Sequence, residues 1–461
     1  MTATPLTIDT IAAVATPPGI GGVAIIRVSG PLALAIAERL CGQPLTPRYA
    51  TYSPFLDTDG HVLDRGVALY FAAPHSFTGE EVVELQGHGG PVIVDLLLQT
   101  VLAYGARLAR AGEFSERAFL NDKLDLVQAE AIADLISSQS VQAARAAVRS
   151  LEGDFSRKIH ACVEAIIYTR MYVEAAIDFP EEEIDFLSDG KVLTLIENLL
   201  TRLAAISVSA RQGTLLQEGL TLVIAGKPNA GKSSLLNALS GKDSAIVTAI
   251  AGTTRDILKE SIQIDGLPLH LLDTAGLRDS TDPIEQEGIR RAKSAIAKAD
   301  RLLLVIDASS ATHASIKAEW QAAQVISTQP CTLILNKSDL MTEQSLADLM
   351  QALPDFTNTT VLSLSVLNQQ GFAAFRQHLK ASVAFDSQME GSFSARRRHL
   401  DALKKAQQAI AHSREQLLVY QAGELVAEEL AVAQRALNTI TGEFSADDLL
   451  GEIFGSFCIG K

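Results

Sequence analysis

Short apolar runs closed by glycine or proline open this chain, and long stretches of helical period follow them. Val23-Ala-Ile-Ile-Arg-Val28 reads as a strand ending in Ser-Gly-Pro, and Gly66-Val-Ala-Leu-Tyr-Phe71 as another ending near Pro74. Ile93, Leu97, Val101 and Tyr104 recur at helical spacing, so residues 1–121 are expected to form a compact α+β domain. From Lys123 the texture becomes amphipathic helix. Val192, Leu195, Ile196, Leu199, Leu200, Leu203 and Ile206 mark one apolar face with no internal Gly or Pro. That texture returns near the end of the chain, with Leu400, Leu403, Ile410 and Leu417 in one helix. Ser445-Ala-Asp-Asp448 then offers a capping start for a last helix carrying Leu449, Leu450, Ile453 and Phe454. Between the helical flanks the apolar runs Leu220–Ile224, Leu269–Leu272 and Leu302–Ile306 alternate with helical segments, which predicts a doubly wound α/β sheet. Each flank has one apolar face that needs cover, and the two can cover each other. Residues 122–218 and 385–461 are therefore expected to build one helical domain, with 219–384 inserted between them.

Composition agrees with several ordinary domains. The chain has 461 residues, 47% hydrophobic and 20% charged, enough for two to four cores. Runs such as Leu302–Ile306 are too short to span a bilayer, and no Lys or Arg precedes Arg27, so no signal, transit or membrane segment is expected. Cys41, Cys162, Cys331 and Cys458 show no paired or metal-binding spacing, which suits a reducing cytoplasm. A net charge of −15 argues against non-specific nucleic-acid binding. The densest basic run, Arg396-Arg397-Arg398-His399, reads as a solvated helix face or as a local patch for RNA.

Four motifs in order carry the chemistry. Gly226-Lys-Pro-Asn229-Ala230-Gly231-Lys232-Ser233-Ser234 follows the first strand of the insert. Its glycines let backbone N–H groups curl round phosphates at a helix start. Lys232 is placed to reach the outer phosphates and Ser233 to ligate magnesium. Thr248-Ala249-Ile250-Ala251-Gly252-Thr253-Thr254 comes next. Asp273-Thr274-Ala275-Gly276 follows the second strand, where a carboxylate can hold the metal and the Gly276 N–H can meet the γ-phosphate. In Asn336-Lys337-Ser338-Asp339, the Asp339 carboxylate matches the paired N–H donors of guanine, a fit adenine cannot make. The quartet predicts a GTP site. The residue after Gly276 is Leu277, which cannot orient water as the glutamine of many small GTPases does. Polar candidates downstream are Arg278, Asp279, Asp282 and Glu285, each of which could equally be a solvated loop charge. Arg255 is followed by Asp256, with which it can pair, so a bound cation is one way to offset charge on the phosphates.

Together with Ala15-Thr-Pro-Pro-Gly, Gly21-Gly-Val, Glu84-Leu-Gln-Gly-His-Gly-Gly90, Phe119-Leu-Asn-Asp-Lys123-Leu-Asp, Ile250-Ala-Gly-Thr-Thr-Arg-Asp256 and the terminal Phe457-Cys458-Ile-Gly-Lys461, these motifs resemble the bacterial tRNA-modification GTPases of the MnmE (TrmE) type over essentially the whole chain. The resemblance implies a homodimer that pairs with an FAD-dependent MnmG-type protein, in a heterotetramer. The pair would install an aminomethyl or carboxymethylaminomethyl group on C5 of the tRNA wobble uridine. It implies a one-carbon unit from a reduced folate of the 5-formyltetrahydrofolate type, held by Arg27, Glu84, Lys123 and Lys461. It further implies potassium at Asn229, Thr248, Ile250 and Thr253, magnesium at Ser233 and Thr254, and Glu285 as the residue that positions water. The base-contacting loop, usually Ser-Ala-Lys or Ser-Ala-Arg in the family, is Ser365-Val366-Leu367 here, so only its backbone is expected to meet guanine. Apart from the resemblance, Glu84 reads as a strand-end charge and Lys123 as a solvated helix-start lysine. Two other functions use the same nucleotide motifs: an RNA- or ribosome-assembly switch without one-carbon chemistry, and a dimer scaffold opened and closed by nucleotide.

Overall fold

The computed structural model describes residues 9–178, 190–240, 259–273, 299–326, 329–353, 356, 359–385, 391–443, 447–455, 457 and 460. They form two compact units. One takes residues up to Ile136, Val148–Ala205 and Asp401 onward; the other takes Ser137–Ala147 and Ile206–Leu400.

The first unit begins with β1 (Ile11–Val14), β2 (Gly21–Ser29), α1 (Ala33–Cys41), β3 (Thr51–Leu56), β4 (Val62–Phe71), β5 (Val82–Gly89), α2 (Pro91–Ala103) and β6 (Arg107–Leu108). The sheet order is β3-β4-β5-β2-β1-β6, antiparallel except for the parallel β1–β6 pair. The expected run Val23–Val28 lies inside β2, where Ala24, Ile26 and Val28 are buried and Ile25 and Arg27 less so, the period of two that a half-covered strand needs. Ile26 and Val28 join Leu40, Phe55, Leu85 and Val101 in one core. Ile11 and Ala13 instead meet Phe114, Ala109 and Phe77 in a smaller cluster.

Helices follow: α3 (Glu113–Leu120), α4 (Leu126–Ser137), α5 (Val141–Leu151), α6 (Asp154–Asp178) and α7 (Lys191–Glu218). Among the described residues α7 is the one helix long and apolar enough to cross a membrane. Its burial, however, has a helical period: Val192, Ile196, Leu199, Leu203, Ile206 and Ala210 are buried, while Glu197, Asn198, Thr201 and Arg202 are exposed. One-sided burial of this kind marks a helix packed on protein.

The second unit carries β7 (Leu220–Ala225), α8 (Lys232–Ser240), β8 (Lys259–Ile264), β9 (Leu267–Asp273), β10 (Arg301–Asp307), α9 (His313–Ile326), β11 (Cys331–Asn336), α10 (Glu343–Ala352), β12 (Thr359–Ser363) and α11 (Phe372–Ser382). Its order is β12-β11-β10-β7-β9-β8, with every pair parallel except the β8–β9 hairpin. Apolar clusters cover both faces: Leu222, Ile224, Leu303 and Val305 enter one, and Val223, Leu302, Leu304 and Ile306 the other. Burial on both faces explains why these strands read as unbroken apolar runs. The fold is thus the multidomain α/β and α+β architecture expected, with a doubly wound sheet between helical segments.

The chain closes with α12 (Arg397–Glu415), α13 (Gly423–Thr441) and α14 (Asp447–Gly455). Leu417 lies beyond α12, in a wider π-helical turn spanning Gln416–Tyr420. Within the first unit α13 packs along α6, where Arg170 Nη1 donates to Gln434 Oε1 at 2.8 Å. The capping residue Ser445 lies outside the described residues. The basic run is not a single solvated face, because His399 is buried and its Nδ1 accepts the Arg396 N–H at 3.0 Å. Arg397 pairs with Glu218 at 2.8 Å.

Candidate functional site

β7 ends beside β9 on one side and β10 on the other, so the chain reverses its strand order there and leaves a crevice at the carboxyl ends. The segment Gly226–Gly231 fills that point and leads into α8. Lys232 Nζ donates to the carbonyls of Gly226 at 2.7 Å and Lys227 at 2.8 Å, which draws the loop round the ammonium. Asn229 has a left-handed backbone, φ 64°, a conformation asparagine tolerates better than most residues. Gly231, at φ 98°, has no room for a side chain: a Cβ would lie 2.1 Å from Asn336 Nδ2. Ser233 and Ser234 sit exposed in the first turn of α8, where N–H groups are unpaired by the helix itself.

The base side is built on β11. Asn336, at its end, is buried; its Nδ2 donates to the Ala230 carbonyl at 2.8 Å, and its Oδ1 accepts the Val366 N–H at 3.2 Å. Lys337 has φ 60° and pairs with Asp307 Oδ2 at 2.5 Å, and Ser338–Leu340 form a 3-10 turn holding Asp339 half-buried. Burial works against charge on Asp307, but Lys337 and Ser309 outweigh it and keep its carboxyl below the usual range. Ser365 is committed to its own loop: its N–H donates to the Gln370 carbonyl at 3.1 Å, and its Oγ accepts the Asn368 N–H at 3.2 Å. Leu367 is 86% exposed. The structure therefore brings together Ala230, Gly231, Lys232, Asn336, Lys337 and Val366.

Asp273 ends β9 opposite Ile224 of β7, which sets its backbone beside the phosphate loop. Its side chain, Thr248, Ala249, Ile250, Ala251, Gly252, Thr253, Thr254, Thr274, Ala275, Gly276, Leu277 and Glu285 lie outside the described residues, as do Cys458 and Lys461. Asp307 was missed by the sequence reading, although its place at the end of the Leu302–Ile306 run was a usable signal.

A second constellation lies in the first unit. Arg27 of β2 and Glu84 of β5 are cross-strand partners, and Arg27 Nε and Nη2 both donate to Glu84 Oε1, at 3.1 and 2.8 Å. Among the described residues Glu84 Oε2 has no partner. The guanidinium lies 5.5 Å from the Phe77 ring centroid and 5.7 Å from that of Phe114. Lys123 Nζ donates to the Pro74 carbonyl at 3.0 Å, and its stem lies 3.3 Å from where a Cβ on Gly79 would stand, so it borders the segment that brings Phe77 over Arg27. Gly460 reaches β1, the strand next to β2: a Cβ there would lie 2.4 Å from the Val14 carbonyl. The open carboxylate oxygen, aromatic walls and nearby ammonium can take a planar heterocycle with N–H donors and an acidic tail.

Behind this site Glu113 is buried between Arg107, at 2.6 Å, and Arg117, at 3.1 Å. Burial opposes its charge, yet Arg107, the Arg110 N–H and Arg117 prevail and hold the carboxyl down at about 2.

A mostly parallel sheet in which β7 launches a phosphate loop, with an Asn-Lys-x-Asp turn at the end of β11 on the far side of β10, defines a phosphate-loop protein of the guanine-nucleotide class. Comparison with known proteins narrows this. Residues 10–123 match the family described as GTP-binding protein TrmE N-terminus, and residues 126–458 match the MnmE helical domain. Curated proteins named tRNA modification GTPase MnmE align over nearly the full chain. That of Stutzerimonas stutzeri is 58% identical over 98% of this chain and 99% of its own. That of Chromohalobacter salexigens is 58% identical over 100% of both, and that of Vibrio cholerae 56% over 99% of this chain and 100% of its own. The chain belongs to the MnmE (TrmE) family.

Proposed function

We propose that this chain is a GTP hydrolase whose turnover serves tRNA modification, and that it is potassium-dependent and acts as a cytoplasmic homodimer. With an FAD-dependent MnmG-type partner, in a heterotetramer, it installs an aminomethyl or carboxymethylaminomethyl group at C5 of the wobble uridine. The observation that carries the GTPase part is the tie between the phosphate loop and the Asn-Lys-x-Asp turn through Asn336, an arrangement that would hold both ends of a nucleotide at once. Lys232 and the N–H groups at the start of α8 bind the phosphates, and Asp339 selects guanine through its two acceptors. Ser233 and Thr254 would hold magnesium, which neutralises phosphate charge when bound. The exposed hydroxyl of Ser233 at the helix start suits that donor set.

Potassium, at Asn229, Thr248, Ile250 and Thr253, would supply the positive charge other GTPases take from an arginine, and Glu285 would orient water. Glu84, with one oxygen unpartnered among the described residues and Arg27 beside it, would hold the donor edge of a reduced folate of the 5-formyltetrahydrofolate type, with Lys123 and Lys461 on its carboxylates. Residues 1–121 thus act as the folate and dimerisation domain, 122–218 with 385–461 as the helical domain, and 219–384 as the GTPase domain.

The test is steady-state GTP hydrolysis in potassium against sodium at equal ionic strength. Turnover is expected to fall sharply in sodium and in Glu285→Ala, with GTP binding retained. Equal rates in the two salts reject the potassium role, and a fully active Glu285→Ala rejects that of Glu285.

A further inference from the structure

Among the described residues three side chains tie the phosphate loop, and one of these ties leads outside the nucleotide motifs. Lys232 gathers the carbonyls of Gly226 and Lys227, and Asn336 holds the Ala230 carbonyl. The third is the side chain of Lys227, which leaves the loop and pairs with Glu319 Oε1 on α9 at 2.9 Å. The Glu319 side chain is 13% exposed and that of Lys227 66%. A carboxylate so covered needs a cation, and among the described residues its ion pair is with Lys227. α9 is a firm anchor. Its start is capped by reciprocal Thr312 and Ser315 bonds, and Ile316 and Ala323 are buried in the sheet core. The residue after Glu319, Trp320, stacks on Phe356 at 4.9 Å and donates to Thr359 Oγ1 at 3.0 Å.

Lys227 thus works from both ends. Its carbonyl receives the ammonium that serves the phosphates, and its own ammonium is drawn away from them by Glu319. We propose that Glu319 is a positioning residue for nucleotide binding, which through Lys227 fixes the loop carbonyls that hold Lys232. The inference rests on the reading of this loop as the GTP site. Its energy is that of a charge-assisted bond with one partner mostly covered, so its loss is expected to weaken GTP binding roughly three- to tenfold.

The experiment measures GTP affinity, KM, kcat and thermal midpoint for the wild-type full chain and for Glu319→Ala, Lys227→Ala, the double variant and Lys227→Arg. Expected are a higher Kd and KM in each alanine variant with kcat and midpoint near wild type. The double variant is expected to be no worse than either single, and Lys227→Arg to keep wild-type affinity. An unchanged KM in Glu319→Ala, additive losses in the double variant, or a lowered midpoint that accounts for the weaker binding would each overturn the proposal. Tighter binding in Glu319→Ala would overturn it too, because Lys227 would then be a withheld phosphate ligand. A wild-type chain that binds no GTP would instead overturn the GTP-site reading itself.

Discussion

Asn336 and Ala230 are joined by a 2.8 Å hydrogen bond from the Asn336 side-chain amide to the Ala230 carbonyl, across the gap between two strand ends. The same side chain accepts the Val366 N–H on its other side, so one buried residue sets the distance between the loop for phosphates and the loops for the base. Asn336→Ala removes both bonds and leaves the Val366 N–H without its partner. A buried group left unpaired costs about 1–3 kcal/mol, so GTP binding is expected to weaken about ten- to a hundredfold. Titration with a fluorescent GTP analogue checks this, and affinity within twofold of wild type would remove Asn336 from the site.

Arg27 and Glu84 depend on one another in the same way, although only partly buried, at 22% and 17% exposure. Removing Glu84 leaves the Arg27 guanidinium without its carboxylate beside the Phe77 and Phe114 rings, and removing Arg27 leaves a mostly covered carboxylate without its cation. Arg27→Ala and Glu84→Ala are each expected to cost about 1–2 kcal/mol in urea denaturation, and the double variant less than their sum. Glu84→Gln keeps the shape and removes the charge. It is expected to weaken binding of 5-formyltetrahydrofolate more than tenfold by calorimetry, with hydrolysis of GTP unchanged. Unaltered folate affinity would leave the pair with a structural role alone.

Much of this was legible in the sequence because the signals are local. The phosphate loop sits between an apolar run and a helix start, and Gly226–Ser233 announces itself within eight residues of chain. The strands flanking it are buried on both faces, so their composition alone marks them. Contacts across the fold were not legible. Arg27 and Glu84 are 57 residues apart, and each is recognisable as a polar position, but only the antiparallel register of β2 and β5 sets them opposite one another. β4 begins at Val62, four residues before the apolar run Gly66–Phe71 that marks it in the sequence, because Asp64 and Arg65 carry no apolar signal. Asp64 is tolerated there because it bonds the His88 N–H and ring across the sheet. His399 looked like part of a solvated run, and the need of its helix start for a capping partner turned it inward.

The Glu113 cluster gives a pH dependence with a definite sign. Its carboxyl is lowered from the ordinary 4.5 to about 2, so the folded state favours the ionised form. The stabilisation is fully present above about pH 4.5 and is lost as pH falls from there toward 2. The side chain is only 3% exposed, so the difference corresponds to about 3 kcal/mol. Glu113→Gln is expected to lower the urea midpoint of the first unit at pH 7, and this gap should close below pH 3. A gap that stays constant from pH 7 to pH 3 would show that packing, and not charge, makes Glu113 matter.

Gly460 offers a way to separate the two chemistries without deleting anything. Its backbone has φ 97° and passes so close to β1 that a Cβ would lie 2.4 Å from the Val14 carbonyl and 3.1 Å from the Ala15 Cα. Both neighbours are backbone, which cannot swing aside as a side chain would, so Gly460→Ala must lift the end of the chain from the strand beside Arg27. Phe454 and Phe457 pack against the Gly112 region independently and should keep α14 in place. The variant is therefore expected to hydrolyse GTP at the wild-type rate while wobble-uridine modification drops at least tenfold, an effect on the order of 1.4 kcal/mol or more. GTPase rate, folate affinity and tRNA nucleoside composition measured on one preparation decide it. If GTP hydrolysis falls together with modification, the tail supports folding of the whole chain; if neither falls, its contact with β1 plays no part in the reaction.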